Sequence, residues 1–189
     1  MRKIIILLSV LAFTFVSFAQ EQKTPETIVG DYFSLLQKKK WLDITDLFSP
    51  PALDQFKQMV LPVIAIDLKQ GRGELTQVFF GKKLTPPEIA EMSREDFFFF
   101  VMSAIMLQVS EVQMKFEKVE ILGSVKEGDD IVHVVGKLYI GYGESQFTDV
   151  NVTSLKKIDG KWGLTLSSDV HNLGEDLKRM DPGGEFSIR

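Results

Sequence analysis

There is no cysteine among the 189 residues. That absence excludes disulfides, thiol nucleophiles, cysteine-ligated zinc and a lipid attached at a cleavage-site cysteine. Histidine is almost as scarce. The two present, His133 and His171, stand far apart with no His–Glu zinc spacing, so no metal site and no cofactor is expected. Basic charge is also short. Lysine and arginine number 22 against 26 acidic residues, a net charge of −4. Nucleic acid asks for clustered Lys and Arg to displace counterions, so it is excluded as a partner. No apolar run reaches the roughly 20 residues that a membrane-spanning helix needs.

What is there begins with an export signal. Arg2 and Lys3 precede an apolar stretch from Ile4 to Val16, broken only by Ser9 and Thr14. Ser17-Phe18-Ala19 then places small residues three and one before a polar segment that opens at Gln20. This order predicts a secretory signal peptide over residues 1–19, cleaved after Ala19, on a bacterial protein exported to the periplasm or beyond. No stable membrane span is expected after cleavage. Losing Arg2 and Lys3 leaves 20 basic against 26 acidic residues, a net charge of −6. Residues 20–180 are read as a single α+β domain and residues 181–189, opening on Asp181-Pro182-Gly183-Gly184, as a flexible tail. Without disulfides, this fold rests on apolar burial, to which a chain of this length commits about two thirds of its unfolded surface.

The first half is patterned for helices. Thr24-Pro25-Glu26 carries a hydroxyl cap, a first-turn proline and an acid at the positive end of the helix dipole. Ile28, Tyr32, Leu35 and Leu36 follow on one face, and Lys38-Lys39-Lys40 closes the helix. Trp41 to Phe48 predicts a second, short helix that Ser49-Pro50-Pro51 breaks. Ala52 to Leu61 resumes helical spacing, and Pro62 is expected to end or kink it. Glu74 to Phe80 reads equally as helix or strand, with Gly81 as its stop, and Thr85-Pro86-Pro87 opens another short helix. Ser93 to Asp96 has the spacing of a capping box. It leads into Phe97 to Leu107, apolar on every face and therefore expected to be a buried helix, with any bare face covered by a second subunit or an apolar ligand.

The second half is patterned for strands. Val112 to Gly123, Asp130 to Tyr142, Ser145 to Ile158 and Lys161 to Ser167 are rich in β-branched and aromatic residues. Asp159-Gly160 is the strongest hairpin signal. Four consecutive strands with short turns predict an antiparallel meander packed against the helices, and Val170 to Met180 a short terminal helix.

Residues 25–56 contain Pro-Glu-Thr-Ile-Val-Gly-Asp-Tyr-Phe-Ser-Leu-Leu and then Trp41-Leu42-Asp43-Ile44-Thr45-Asp46-Leu47-Phe48-Ser49-Pro50, and Gly160-Lys161-Trp162 follows near the end. An aromatic–small–Leu-Leu helix, a short helix ending in Leu-Phe, a small-Pro break and a late Gly-Lys-Trp hairpin together resemble the nuclear-transport-factor-2-like (SnoaL-like, cystatin-like) superfamily. The resemblance implies a cone-like roll whose curved sheet and helices enclose a pocket. Members include isomerases, dehydratases, small-ligand binders and exported domains without known activity, so the resemblance carries fold and not function. The chain departs from the pattern between residues 52 and 110, where it stays helical.

The candidate ligand-binding residues are Tyr32, Trp41, Phe97, Phe100, His133 and Tyr139. No catalytic residue is assigned. His133 shares a strand face with Ile131, Val135, Lys137 and Tyr139, opposite the more apolar Val132, Val134, Leu138 and Ile140. It would serve as a pocket base near neutral pH, although a packed or surface histidine is the plainer reading. Asp31, Asp43, Asp46 and Asp149 are the carboxylates nearest predicted apolar faces, and the plainer reading makes them solvated charges. Ser154-Leu155-Lys156-Lys157 matches the Ser-x-x-Lys pattern of serine acyl enzymes, but in a strand positions i and i+3 face opposite ways. The expectation is an exported non-enzymatic domain that binds an apolar small molecule or a protein partner, with a homodimer as one form of the latter. A pocket enzyme, isomerase or hydrolase, and a structural envelope protein are the alternatives.

Overall fold

The structure, a computed structural model, describes residues 23–110 and 114–167. The expected leader, His171, the expected terminal helix and the expected tail lie outside the described residues. Six helices precede four strands among them: α1 (Pro25–Gln37), α2 (Trp41–Thr45), α3 (Pro50–Lys69), α4 (Glu74–Phe80), α5 (Pro86–Glu91), α6 (Arg94–Ser110), β1 (Met114–Glu127), β2 (Ile131–Tyr142), β3 (Ser145–Ile158) and β4 (Lys161–Leu164). The strands form one antiparallel sheet in the order β1-β2-β3-β4. The fold class is therefore α+β, with N-terminal helices and a C-terminal curved sheet that does not close.

The local chemistry places the helix ends. Thr24 accepts the Thr27 N–H at 3.3 Å, with Pro25 at the first helical position. Ser93 Oγ accepts the Asp96 N–H at 3.0 Å and donates to the Asp96 carboxylate at 2.7 Å. Glu74 to Phe80 resolves as helix, held between Gly73 and Gly81, both left-handed. Pro62 does not stop α3, which runs on to Lys69. Val60, Val63 and Ile64 are buried on either side of the proline, so packing carries the helix past the one hydrogen bond that Pro62 cannot donate.

Two apolar clusters result. One is helical: Leu53, Phe56, Val60, Ile64, Phe79, Ile89, Phe97, Phe98, Val101 and Ile105 pack together, with Leu166 reaching in from beyond β4. The other joins α1 to the inner sheet face through Ile28, Val29, Phe33, Val132, Val134, Leu138, Ile140, Leu155 and Leu164. Phe48 touches both, with its ring 4.7 Å from that of Phe98 and 6.2 Å from that of Tyr32. The helix expected to be buried all round has a graded surface. Phe97, Phe98, Val101 and Ile105 face inward, whereas Phe100 is 39% and Leu107 66% exposed.

The sheet curves at two bulges in β1, between Phe116 and Lys118 and between Ile121 and Gly123. Each leaves one residue without a partner on β2. At the first, the unpaired Glu117 carbonyl accepts the Gln37 side-chain amide from the end of α1. At the second, Leu122 is left 55% exposed. The start of α1 is tied to the same strand, because Ser124 donates to the Glu26 carboxylate. The helix thus lies on the sheet with both ends fastened.

The strand expected to reach Ser167 ends at Leu164. Thr165 still donates its N–H to the Ser154 carbonyl at 3.0 Å. Leu166 then buries in the helical cluster, which draws the chain away from β3. This divergence opens the cleft described next.

Candidate functional site

A cleft of 640 Å3 lies between α1, the inner side of β3 and the 164–167 segment. Its floor is apolar: Tyr32, Phe33 and Leu36 from α1, Phe48 from the α2–α3 corner, Phe116 from β1 and Leu138 from β2. These side chains converge because the inner face of β2 is continuously apolar and α1 is fastened across it. Its wall is β3 itself, in an unbroken run from Asp149 to Ser154. The inner face of β3 is polar here. Leu155 is fully buried on that face, so Thr153, Asn151 and Asp149, two, four and six residues back, share it. Thr153 donates to the Asn151 side-chain oxygen at 2.8 Å.

Asp149 is the one charged side chain among the residues that line the cleft. Its carboxylate accepts the N–H of Val150 at 2.9 Å. Tyr32 is the other titratable group there. Burial pushes its phenol up to about 12 from an ordinary value of 10, so it stays neutral at physiological pH.

Of the six residues expected to bind a ligand, Tyr32 alone lines the cleft. Phe97 is fully buried in the helical cluster, between Phe56 and Phe80. Phe100 lies against Phe80 and Phe99 at that cluster's surface. Trp41 opens α2 and is half-buried. His133 and Tyr139 occupy the outer face of the sheet, away from the cleft. The phenol of Tyr139 donates to Glu120 at 3.0 Å, and Lys118 and Lys137 lie over its ring. His133 bonds Ser154 Oγ through Nδ1 and Glu127 through Nε2, both at 2.8 Å. Lys157 lies over the Trp162 ring and not beside Ser154. Asp31 pairs with Lys23 at 2.6 Å, and Asp43 and Asp46 are exposed.

Among the described residues, no group of three or more His, Cys, Asp or Glu side chains is placed to hold a metal ion. Nor is any helix among them long and apolar enough to cross a membrane.

No family model and no curated protein matches the sequence. Among solved structures, the chain is similar to the solution structure of a SEC-C motif containing protein from Rhodopseudomonas palustris. The identity is 10%, the TM-score 0.41, and the alignment covers 76% of each chain. A likeness that distant carries no argument.

Proposed function

We propose that this protein is an exported, non-enzymatic binding domain, and that the cleft between α1 and β3 receives its ligand. One observation carries the reading. A cleft of 640 Å3 with an aromatic floor opens beside a stretch of β3, residues 145–154, that has no partner strand on one side among the described residues, and its one acid is engaged in holding a backbone N–H. The volume falls in the usual range for ligand sites. The ligand is an apolar small molecule or a segment of a protein partner, and both would contact Phe33, Phe48 and Phe116. Export rests on the pattern of residues 1–19. Kinship with nuclear-transport-factor-2-like domains is part of the proposal, supported by the order of helices before a curved antiparallel meander.

The test is a titration of the mature protein with a fluorescent fatty acid and with extended peptides, followed by backbone amide NMR. Ligand-dependent shifts should gather at residues 32–36, 138 and 147–154, and Leu36→Glu should abolish them. Shifts elsewhere, or none with either ligand class, sink the reading.

A second reading, that the domain is a pocket enzyme, is favoured by the hydrogen-bonded row Ser154–His133–Glu127. It would act on the outer sheet face, with His133 as the base that takes the Ser154 hydroxyl proton and Glu127 holding the imidazole in place. Hydrolytic activity that disappears in both His133→Ala and Ser154→Ala would support it, and activity unchanged in either would refute it.

A further inference from the structure

β4 pairs with only the last four residues of β3, Leu155 to Ile158. Among the described residues, no strand pairs with the same side of residues 145–154. Their pairing with β2 runs without a register shift, so backbone groups alternate strictly between the two sides. Three bonds fix the parity. Ser154 accepts from Thr165 on the β4 side, Lys157 donates to Asp130 on the β2 side, and Val150 donates to the Asp149 side chain. Gln146, Thr148, Val150 and Val152 therefore present their N–H and C=O groups along the unpaired edge. These edge residues are exposed, so water serves their backbone groups, and a ligand that covers them must supply hydrogen-bonding partners, which an apolar small molecule does not.

We infer that the cleft takes an extended polypeptide segment, added to β3 as a further strand and carrying a basic side chain opposite Asp149. This deepens the reading of the cleft as a binding site and rests on it. Natural edges are guarded by lysine, proline, bulges or shortness. Residues 145–154 contain no lysine and no proline, and their pairing with β2 has no bulge. Asp149 is their one charged residue. Its carboxylate occupies the Val150 N–H that an incoming strand must take, so docking frees a carboxylate beside the new strand. Residues directly opposite across a ladder share a face and interact, with opposite charges favoured. The incoming residue facing Asp149 is thus a lysine or arginine, and the residues two positions to either side of it turn apolar groups to the cleft. A second copy of β3 is the poorer occupant. Antiparallel self-pairing that uses all four edge residues sets Gln146 against Val152 and Thr148 against Val150, and so Asp149 against Asp149. Like charges directly opposite are destabilising.

The test uses the mature full chain and a synthetic heptapeptide, Thr-Leu-Thr-Lys-Thr-Leu-Thr, with capped ends. Three changes accompany it: glutamate for the central lysine, N-methylation of the two flanking threonines, and Asp149→Lys in the protein. The lysine peptide should bind with amide shifts at 146–152, and the glutamate peptide at least about fivefold more weakly. N-methylation should abolish binding, and Asp149→Lys should reverse the charge preference. Equal binding of the N-methylated peptide overturns strand addition. So does cleft binding by a fluorescent fatty acid with none by any peptide, which would leave the cleft reading standing. If neither class perturbs the cleft, both inferences fall. Concentration-dependent dimerisation that shifts the same amides, measured by light scattering, would give the edge to a second copy and also overturn the proposal.

Discussion

The two apolar clusters meet at a corner so tight that one hydrogen atom in place of a methyl group decides its stability. Leu47, Phe48 and Ser49, between α2 and α3, run parallel to the end of β4. Leu164 donates to the Leu47 carbonyl at 2.8 Å and accepts from the Ser49 N–H at 2.9 Å, with a parallel bridge from Phe48 to Leu164. Gly163 stands against this crossing. A Cβ there would lie 2.9 Å from the Ser49 Cα and N and 3.0 Å from its Cβ. The first two are backbone atoms and the Cβ is fixed to them, so no rotation can relieve the contact and the two segments must separate. Overpacking of this kind costs about 1–3 kcal/mol. Each bridging hydrogen bond contributes about 1 kcal/mol more if it is lost. Gly163→Ala should therefore destabilise the fold by about 2–4 kcal/mol. With a urea slope of about 2 kcal/mol/M, its midpoint falls by about 1–2 M. Trp41 opens α2 and Trp162 lies in β4, so each of the two segments carries a tryptophan just before the crossing and intrinsic fluorescence follows the unfolding of both. Gly30→Ala is the control. It sits inside α1 with nothing within 4 Å of the added Cβ, and should stabilise by about 0.5–1 kcal/mol. If Gly163→Ala moved the midpoint by less than about 0.3 M, the corner would not be the rigid joint described.

Three further outcomes follow from the packing and the titratable groups. Tyr32 is neutral below pH 10 in folded and unfolded chains alike. Between pH 10 and about 12 the unfolded chain ionises first, so stability should fall by about 2–3 kcal/mol over that range, and Tyr32→Phe should flatten the fall in denaturant midpoints. The Ser124 hydroxyl holds the Glu26 carboxyl below the usual carboxylate range. Its contribution is therefore present above the ordinary glutamate value and lost as pH falls through the lowered one. Acid-unfolding curves of Ser124→Ala should show a shallower slope across that window. Phe56 is fully buried and touches the rings of Phe97 and Phe98, so Phe56→Ala should cost about 3–5 kcal/mol in urea denaturation, and a loss under about 1 kcal/mol would mean the helical cluster is loosely packed.

Local chemistry made much of the fold legible from the residues alone. Thr24, Ser93 and the Asp159-Gly160 turn work through neighbours a few positions away, and the turn takes the left-handed geometry at both central residues (φ 49° and 79°) that its sequence suggests. The alternation along β2 likewise names the buried set Val132, Val134, Leu138 and Ile140. What stayed hidden depends on partners distant in sequence. Glu74 to Phe80 is too short for its period to choose between helix and strand, and its burial against the helical cluster chooses for it. The bulge at Glu117 is fixed by Gln37, eighty positions earlier. The candidate site suffered most. Aromatic content pointed to Phe97 and Phe100, but aromatic side chains fill cores as readily as they line pockets. The signal that was available is the inverted patterning of β3, in which Asp149, Asn151 and Thr153 fall on the face that Leu155 buries.

That inversion ties the cleft to the fold. A strand whose inner face were apolar from end to end would draw α1 or the 165–167 segment down onto it, and the cleft would close. Polar residues at 149, 151 and 153 are costly to cover without hydrogen-bond partners. The covering elements therefore stop short of them. Leu166 goes instead to the helical cluster, and β4 is only four residues long. The open cleft and the unpaired edge are one consequence of three side chains. Replacing Asp149, Asn151 and Thr153 together by valine should then do more than alter recognition. It should bring the 165–167 segment onto β3, protect the edge amides of Val150 and Val152 from hydrogen exchange, and remove peptide binding while raising the urea midpoint. If the triple variant left those amides exchanging as before, the polar face would not be what holds the cleft open.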